Sequence, residues 1–198
     1  MQFTVTRGRP QEYELLDTKE RFWSTSELLR VLDPDVYAGV DDAVMEFARQ
    51  RGTDLHKVFF YYMASLRGLC PVPPRPEEFG GYYDAIVRWA EHRKPVPILL
   101  EEPSVNRKWG VAGTKDFKGI IGGKMELLDL KTTRSKLRIH EAQLNCYRTF
   151  EDAKDVQRMR SLYIHEDGTY DDPEVPRDPM HVAALENGVN ILRWRAAA

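Results

Sequence analysis

The chain has 198 residues, 42% hydrophobic and 30% charged, a balance expected of one soluble globular domain with a continuous core. Lys and Arg total 29 against 31 Asp and Glu, a net charge of −2, which excludes a globally basic nucleic-acid binder and leaves any phosphate contact to a local patch. No apolar run approaches the ~18 residues of a membrane span, and the polar start lacks a signal-peptide core, so no membrane association and no export are expected.

In chain order, residues 3–6 read as an edge strand followed by a loop. Ser24-Thr25-Ser26 ahead of Glu27-Leu28-Leu29 predicts an N-capped short helix that Pro34 ends. Val44, Phe47 and Ala48, then Leu55, Val58, Phe59 and Tyr62, recur at helical spacing over 41–66. Gly52 interrupts that stretch, and Thr53 or Asp54 offers a second cap, so it is either two helices or one kinked helix. The proline-rich 71–76 is a linker within the domain, and Tyr82, Ile86 and Trp89 mark a helix over 79–94. Strands are expected at 96–103, 109–118 and 124–132, a helix at 139–150, a strand at 159–165, a turn at Asp167-Gly168 and a last helix at 179–194. Cys70 and Cys146 lie far apart without ligand spacing and read as reduced and semi-buried, in a cytosolic setting. The order predicts α/β layering on a small mixed sheet.

The segment GVAGTKDFKGIIGGKMELLDLKTT, residues 110–133, carries the chemistry. With Gly122-Gly123 as the two central residues of a tight hairpin turn, Ile121 faces Lys124. Counting outward, Asp116 then stands opposite Asp129, and Lys131 points to the face of Asp129. Opposed like charges destabilise a sheet, so two carboxylates with a lysine beside them suggest a hard divalent cation, Mg²⁺ or Mn²⁺, and phosphodiester chemistry. A surface hairpin whose lysine bridges two aspartates is the alternative reading. Glu126, three residues before Asp129, falls on the other face and is set aside. Gln143 and Tyr147, four apart, share a helical face: either a functional pair or a core tyrosine with an incidental glutamine. Arg134, Lys136 and Arg138, with Arg107 and Lys108, form the basic patch that could follow DNA phosphates. Trp109 either stacks on a base or plugs the sheet edge.

Four motifs occur in order: Gly52-Thr53-Asp54-Leu55-His56, Gly113-Thr114-Lys115-Asp116, Asp129-Leu130-Lys131-Thr132-Thr133 and Gln143-Leu144-Asn145-Cys146-Tyr147. Together they resemble the PD-(D/E)XK nuclease superfamily, in its RecB-like exonuclease branch of phage recombination and mitochondrial genome maintenance exonucleases. The Asp-x-Lys form, where many relatives have Glu-x-Lys, is usual in that branch; the GIIGG turn is tighter than in some relatives. The resemblance implies a restriction-endonuclease-like core, a small mixed β-sheet flanked by helices. It implies one nuclease domain over 1–198, mainly helical over 1–95, with the catalytic sheet and its flanking helices over 96–198. It also implies His56, Asp116, Asp129 and the Leu130 carbonyl as ligands of one or two Mg²⁺ or Mn²⁺ ions. Lys131 would position or deprotonate water, Gln143 and Tyr147 would stand near the lysine and the DNA strand, and Glu102, or Glu101 in its place, would serve as an outer carboxylate. The implied activity is a metal-dependent exonuclease acting on DNA ends in recombination, repair or phage DNA metabolism, in a bacterial or phage-infected cell, with a recombination or replication protein as a further partner. A structure-selective endonuclease and a non-catalytic DNA-binding module on the same fold are the alternatives.

Overall fold

Three short strands open the chain where the sequence pattern marks only one. In this computed structural model, which describes residues 2–6 and 12–197, β1 (Phe3–Thr6), β2 (Glu12–Leu15) and β3 (Arg21–Ser24) form an antiparallel meander. The loop expected after the first strand falls largely in 7–11, outside the described residues. The N-terminal part is therefore not only helical. Tyr13, Leu15 and Phe22 bury one side of the meander against Val105 and Ala112 of the main sheet.

Ser24 then caps α1 (Thr25–Leu32): its hydroxyl accepts the Glu27 N–H while the Glu27 carboxylate accepts the Ser24 N–H, a complete capping box. The stretch with Gly52 is one uninterrupted helix, α2 (Asp42–Leu66). Its second half buries Leu55, Phe59 and Met63, but Val44 and Phe47 on its first turns stay 58% and 60% exposed. Helix α3 (Gly80–Arg93) ends at Lys94 in the left-handed region, and it buries Tyr82, Ile86 and Trp89 as its spacing predicts.

The central sheet follows: β4 (Val96–Asn106), β5 (Val111–Ile121) and β6 (Lys124–Lys131), then α4 (Arg138–Arg148) and β7 (Arg158–Ile164). Gly122 and Gly123 both take positive φ, +57° and +75°, as a tight hairpin requires, and the counted register holds from Ile121–Lys124 to Phe117–Leu128. Strand β7 lies parallel to β6, and α4 is the crossover that a parallel pair needs. Short strands β8 (Tyr170–Asp171) and β9 (Glu174–Val175) edge β7, and α5 (Pro179–Ala196) closes the chain. Among the described residues the result is a nine-stranded mixed sheet. Helices α2 and α3 cover one face, over Phe117, Leu128, Leu130, Leu162 and Ile164. Helices α1, α4 and α5 cover the other, over Val111, Leu127 and Met159. Covering both faces accounts for the near-continuous burial along β5 and β6, polar residues included.

Candidate metal centre

Strand β5 gives one whole edge to β4 and divides the other between two partners. Residues Val111 and Ala112 pair with β3 in parallel, and Phe117 to Ile121 pair with β6 antiparallel. Residues 113–116 lie between, on an edge that neither ladder reaches. Beyond Leu128, β6 stays on β7 and parts from β5, so the two strands splay where Asp116 and Asp129 stand. Gly113 lets the surrounding helices close in: a Cβ there would sit 2.5 Å from Thr25 Oγ1 and 2.6 Å from Tyr147 Cε1.

Plain alternation would place Asp116, Asp129 and Lys131 on one face. The strand departs from it at Asp116. Lys115 and Lys118, three residues apart, both reach Asp152, while Phe117 packs under α2 and α3. The rung opposite is also distorted, because Glu101 on β4 holds φ at +49°, a left-handed conformation that costs a non-glycine residue about 1–2 kcal/mol. This bulge-like slip turns Asp116 and Glu101 toward α2. There His56 Nδ1 lies 3.2 Å from Asp116 Oδ1 and 3.5 Å from Glu101 Oε1. The ligand atoms of His56, Glu101 and Asp116 all fall within 4.8 Å of one another. The second Asp116 oxygen accepts the Leu130 N–H at 2.7 Å, an amide freed where the β5–β6 ladder stops.

Asp129 and Lys131 lie on the α4 side. Lys131 Nζ stands 2.6 Å from Asp129 Oδ2 and donates to Gln143 Oε1 at 2.8 Å, and Gln143 Nε2 donates to the Tyr147 hydroxyl at 3.0 Å. Asp129 Oδ2 and Glu101 Oε1 are both enclosed, and each faces a cationic side chain: the Lys131 ammonium at 2.6 Å and the His56 ring at 3.5 Å. Enclosed carboxylate oxygens are costly unless a cation faces them, and here the ammonium and the imidazole ring stand in that place. An imidazole with clustered carboxylates is a donor set suited to a divalent cation, and these residues fit one.

The charges are strongly coupled. Burial would lower the His56 imidazole, but Asp116 and Glu101 outweigh it and hold it up at about 10. Burial would raise Asp116 as well, yet His56, Lys131 and the Leu130 amide keep it below the usual carboxylate range. Asp129 goes the other way: burial, opposed by Lys131 and reinforced by the Asp116 charge, pushes its carboxyl up to about 6. Burial would lower Lys131, but Asp129 and Asp116 keep it above its ordinary value. Without a metal the cluster is thus balanced by an imidazolium and an ammonium.

Other expected residues stand elsewhere. Glu102 is exposed and faces Lys115 across the β4–β5 ladder, so its neighbour Glu101 joins the cluster instead. Trp109 is 5% exposed and belongs to the core with Leu28 and Val189, so it is not placed to stack on a base. Tyr147 is buried to the same degree and is likewise closed to stacking; its phenol is raised well above the usual range, first by burial. Most of the basic patch is neutralised: Arg107 pairs with Glu151, Lys108 with Glu186, Arg134 with Asp167 and Lys136 with Asp171, while Arg138 is exposed at the start of α4. Cys146 is buried in α4 and Cys70 half-buried, both as free thiols. Glu126 is buried against Arg160 at 2.8 Å, away from the cluster. Sequence spacing carried no signal for Glu101. The β4–β5 connection does not set a register as a two-residue turn does, and β4 has a further irregularity between Pro97 and Leu99.

Fold and site together define a helix-flanked mixed α/β sheet with a group of residues able to hold a metal ion where two strands splay. No protein-family model matches the chain, and no curated protein matches it in sequence. Among solved structures it is similar to an alkaline exonuclease (LHK-Exo) from Laribacter hongkongensis, at 14% identity over 85% of each chain and a TM-score of 0.48. LHK-Exo in complex with dAMP aligns at 12% identity over 89% of this chain and 93% of that one, TM-score 0.44. SSO0001 aligns at 18% identity over 85% and 74%, TM-score 0.42.

Proposed function

We propose that this chain is a divalent-metal-dependent deoxyribonuclease that hydrolyses phosphodiester bonds from DNA ends. The observation that carries the reading is the convergence of His56, Glu101 and Asp116 with the Asp129–Lys131–Gln143 chain at one break in the sheet. His56, Glu101, Asp116 and Asp129, with the Leu130 carbonyl, would hold Mg²⁺ or Mn²⁺. When bound, such an ion neutralises phosphate charge and makes water acidic enough to attack. Lys131, raised above its ordinary value, carries its proton at neutral pH. It therefore serves as a donor, orienting the attacking water or a non-bridging oxygen, rather than as a base. Gln143 fixes the ammonium through its Oε1, and Tyr147 in turn holds the amide, so the two act through Lys131 rather than on the substrate.

The test uses end-labelled linear DNA and covalently closed circular DNA with Mg²⁺ or Mn²⁺. The parent protein is expected to shorten linear DNA, leave circles intact and release products bearing a 5′-phosphate. Asp129→Ala and Lys131→Ala should each lose at least about 100-fold in rate. Full activity in both variants would discard the mechanism, and cutting of circles would replace end-directed action by an endonuclease.

A further inference from the structure

Arg51 lies on α2 beside the end of β6, one residue before Gly52. Its Nη2 donates to the carbonyl of Thr132, the residue after Lys131, at 3.2 Å. The helix is in ordinary packing contact there, since a Cβ on Gly52 would lie 3.9 Å from Thr132 Oγ1. The Arg51 guanidinium lies over two rings, 5.8 Å from the centre of Phe47 and 5.6 Å from that of Tyr82. That leaves most of its donors unused. Nε is enclosed without an acceptor, and no carboxylate among the described residues pairs with this side chain. The contrast with Arg107, Lys108, Arg134 and Lys136 is direct, because each of those carries an acidic partner.

An arginine serving only to clamp α2 to the sheet would be expected to satisfy its fork, since half-buried unpaired donors are costly. A guanidinium held near two aromatic rings, with no carboxylate partner among the described residues, is instead arranged for an incoming anion. Its place is also specific: the same helix supplies His56, and Thr132 follows Lys131 directly.

We propose that Arg51 is a phosphate-binding residue that takes a phosphodiester of the substrate strand beside the cleavage position. This rests on the nuclease reading of the neighbouring site. The ligand is the nucleic-acid backbone, so the contact raises affinity without reading sequence.

The experiment measures binding of a fluorescent DNA duplex by anisotropy, in EDTA so that no cleavage intervenes, across a series of salt concentrations. Steady-state kinetics with Mn²⁺ accompany it. Arg51→Gln is expected to weaken binding about tenfold and to reduce the slope of log K against log salt by about one. KM should rise by a similar factor while kcat stays within about twofold, since a contact kept from ground state to transition state is uniform binding. Arg51→Lys should keep the salt slope and regain part of the affinity. Phe47→Leu removes one ring without touching the bond to Thr132 and should weaken binding a few-fold. Unchanged affinity and slope in Arg51→Gln would overturn the assignment. So would equal losses for Gln and Lys, with the parent slope in both and a lowered Tm, which is what a structural clamp would give. If Arg51→Gln does not fold, Arg51→Lys and Phe47→Leu decide, and parental affinity in both overturns it. A parent protein that cleaves no DNA strikes the nuclease reading, whereas the salt slope reports on Arg51 regardless.

Discussion

Asp116 and Asp129 are the same residue type in one enclosed site, and their surroundings push them apart: one is held below the usual carboxylate range, the other raised to about 6. Asp116 wins an imidazolium and a backbone amide; Asp129 has Lys131 but also the charge of Asp116. Glu101 adds a third carboxylate at the cost of a left-handed backbone, and strain of that kind is kept where the surroundings enforce it. Mn²⁺ titration by calorimetry should therefore separate two adjacent glutamates. Glu101→Ala is expected to weaken Mn²⁺ binding about tenfold, the usual order for one supporting oxygen, and Glu102→Ala to leave it unchanged. Equal behaviour of the two variants would remove Glu101 from the site. Residues 129, 131, 143 and 147 were legible in the sequence because two-residue and four-residue spacings put side chains on common faces. Glu101 was offered only as the alternative to Glu102, because its direction depends on a distorted rung between strands whose connection does not set the register.

Among the elements, the β5–β6 hairpin is the most completely encoded, since two glycines with positive φ leave one register. The glycines of the other motifs have different roles. At Gly113 an added methyl would meet Thr25 and Tyr147 at 2.5–2.6 Å, whereas at Gly52 its nearest neighbour would be 3.9 Å away, an ordinary contact. Urea unfolding should show Gly113→Ala destabilised by about 1–3 kcal/mol through overpacking. Gly52→Ala, in a helix interior, should be stabilised by about 0.5–1 kcal/mol. The opposite order would mean that α1 and α4 do not close on β5 as described. The length of α2 was ambiguous in the sequence for the same reason: Gly52 weakens a helix locally, and only packing against β6 and α3 decides that it continues. The exposed Val44 and Phe47 show the converse, apolar residues at helical spacing that no other element covers among the described residues.

At the scale of the molecule, the proposed metal site makes His56 a link between cation binding and stability. Its folded value near 10 lies above the ordinary 6.5, so the folded state holds an extra proton between those pH values. That contribution is complete below pH 6.5 and is lost as pH rises through 10. Allowing for partial exposure of the ring, it is worth a few kcal/mol. The metal-free protein should lose Tm steadily from about pH 7 to 10 relative to His56→Gln. Saturating Mn²⁺ should raise Tm and flatten the decline, because the ion replaces the proton between Asp116 and Glu101. Parallel pH profiles for parent and variant without metal would sink this coupling.

The amino-acid sequence by itself determined the order of most elements, the hairpin register, the shared face of Asp129 and Lys131 and that of Gln143 and Tyr147, because each follows from local periodicity or from a turn that permits one geometry. Only the tertiary structure decided that β3 and β6 share one edge of β5 and leave residues 113–116 unladdered, that Glu101 rather than Glu102 turns inward, and that Trp109 is core. It likewise decided that Arg51 stands at the strand end with no carboxylate partner among the described residues. Those outcomes depend on which distant segments compete for the same hydrogen-bonding edge and the same apolar face, and no spacing along the chain records that competition.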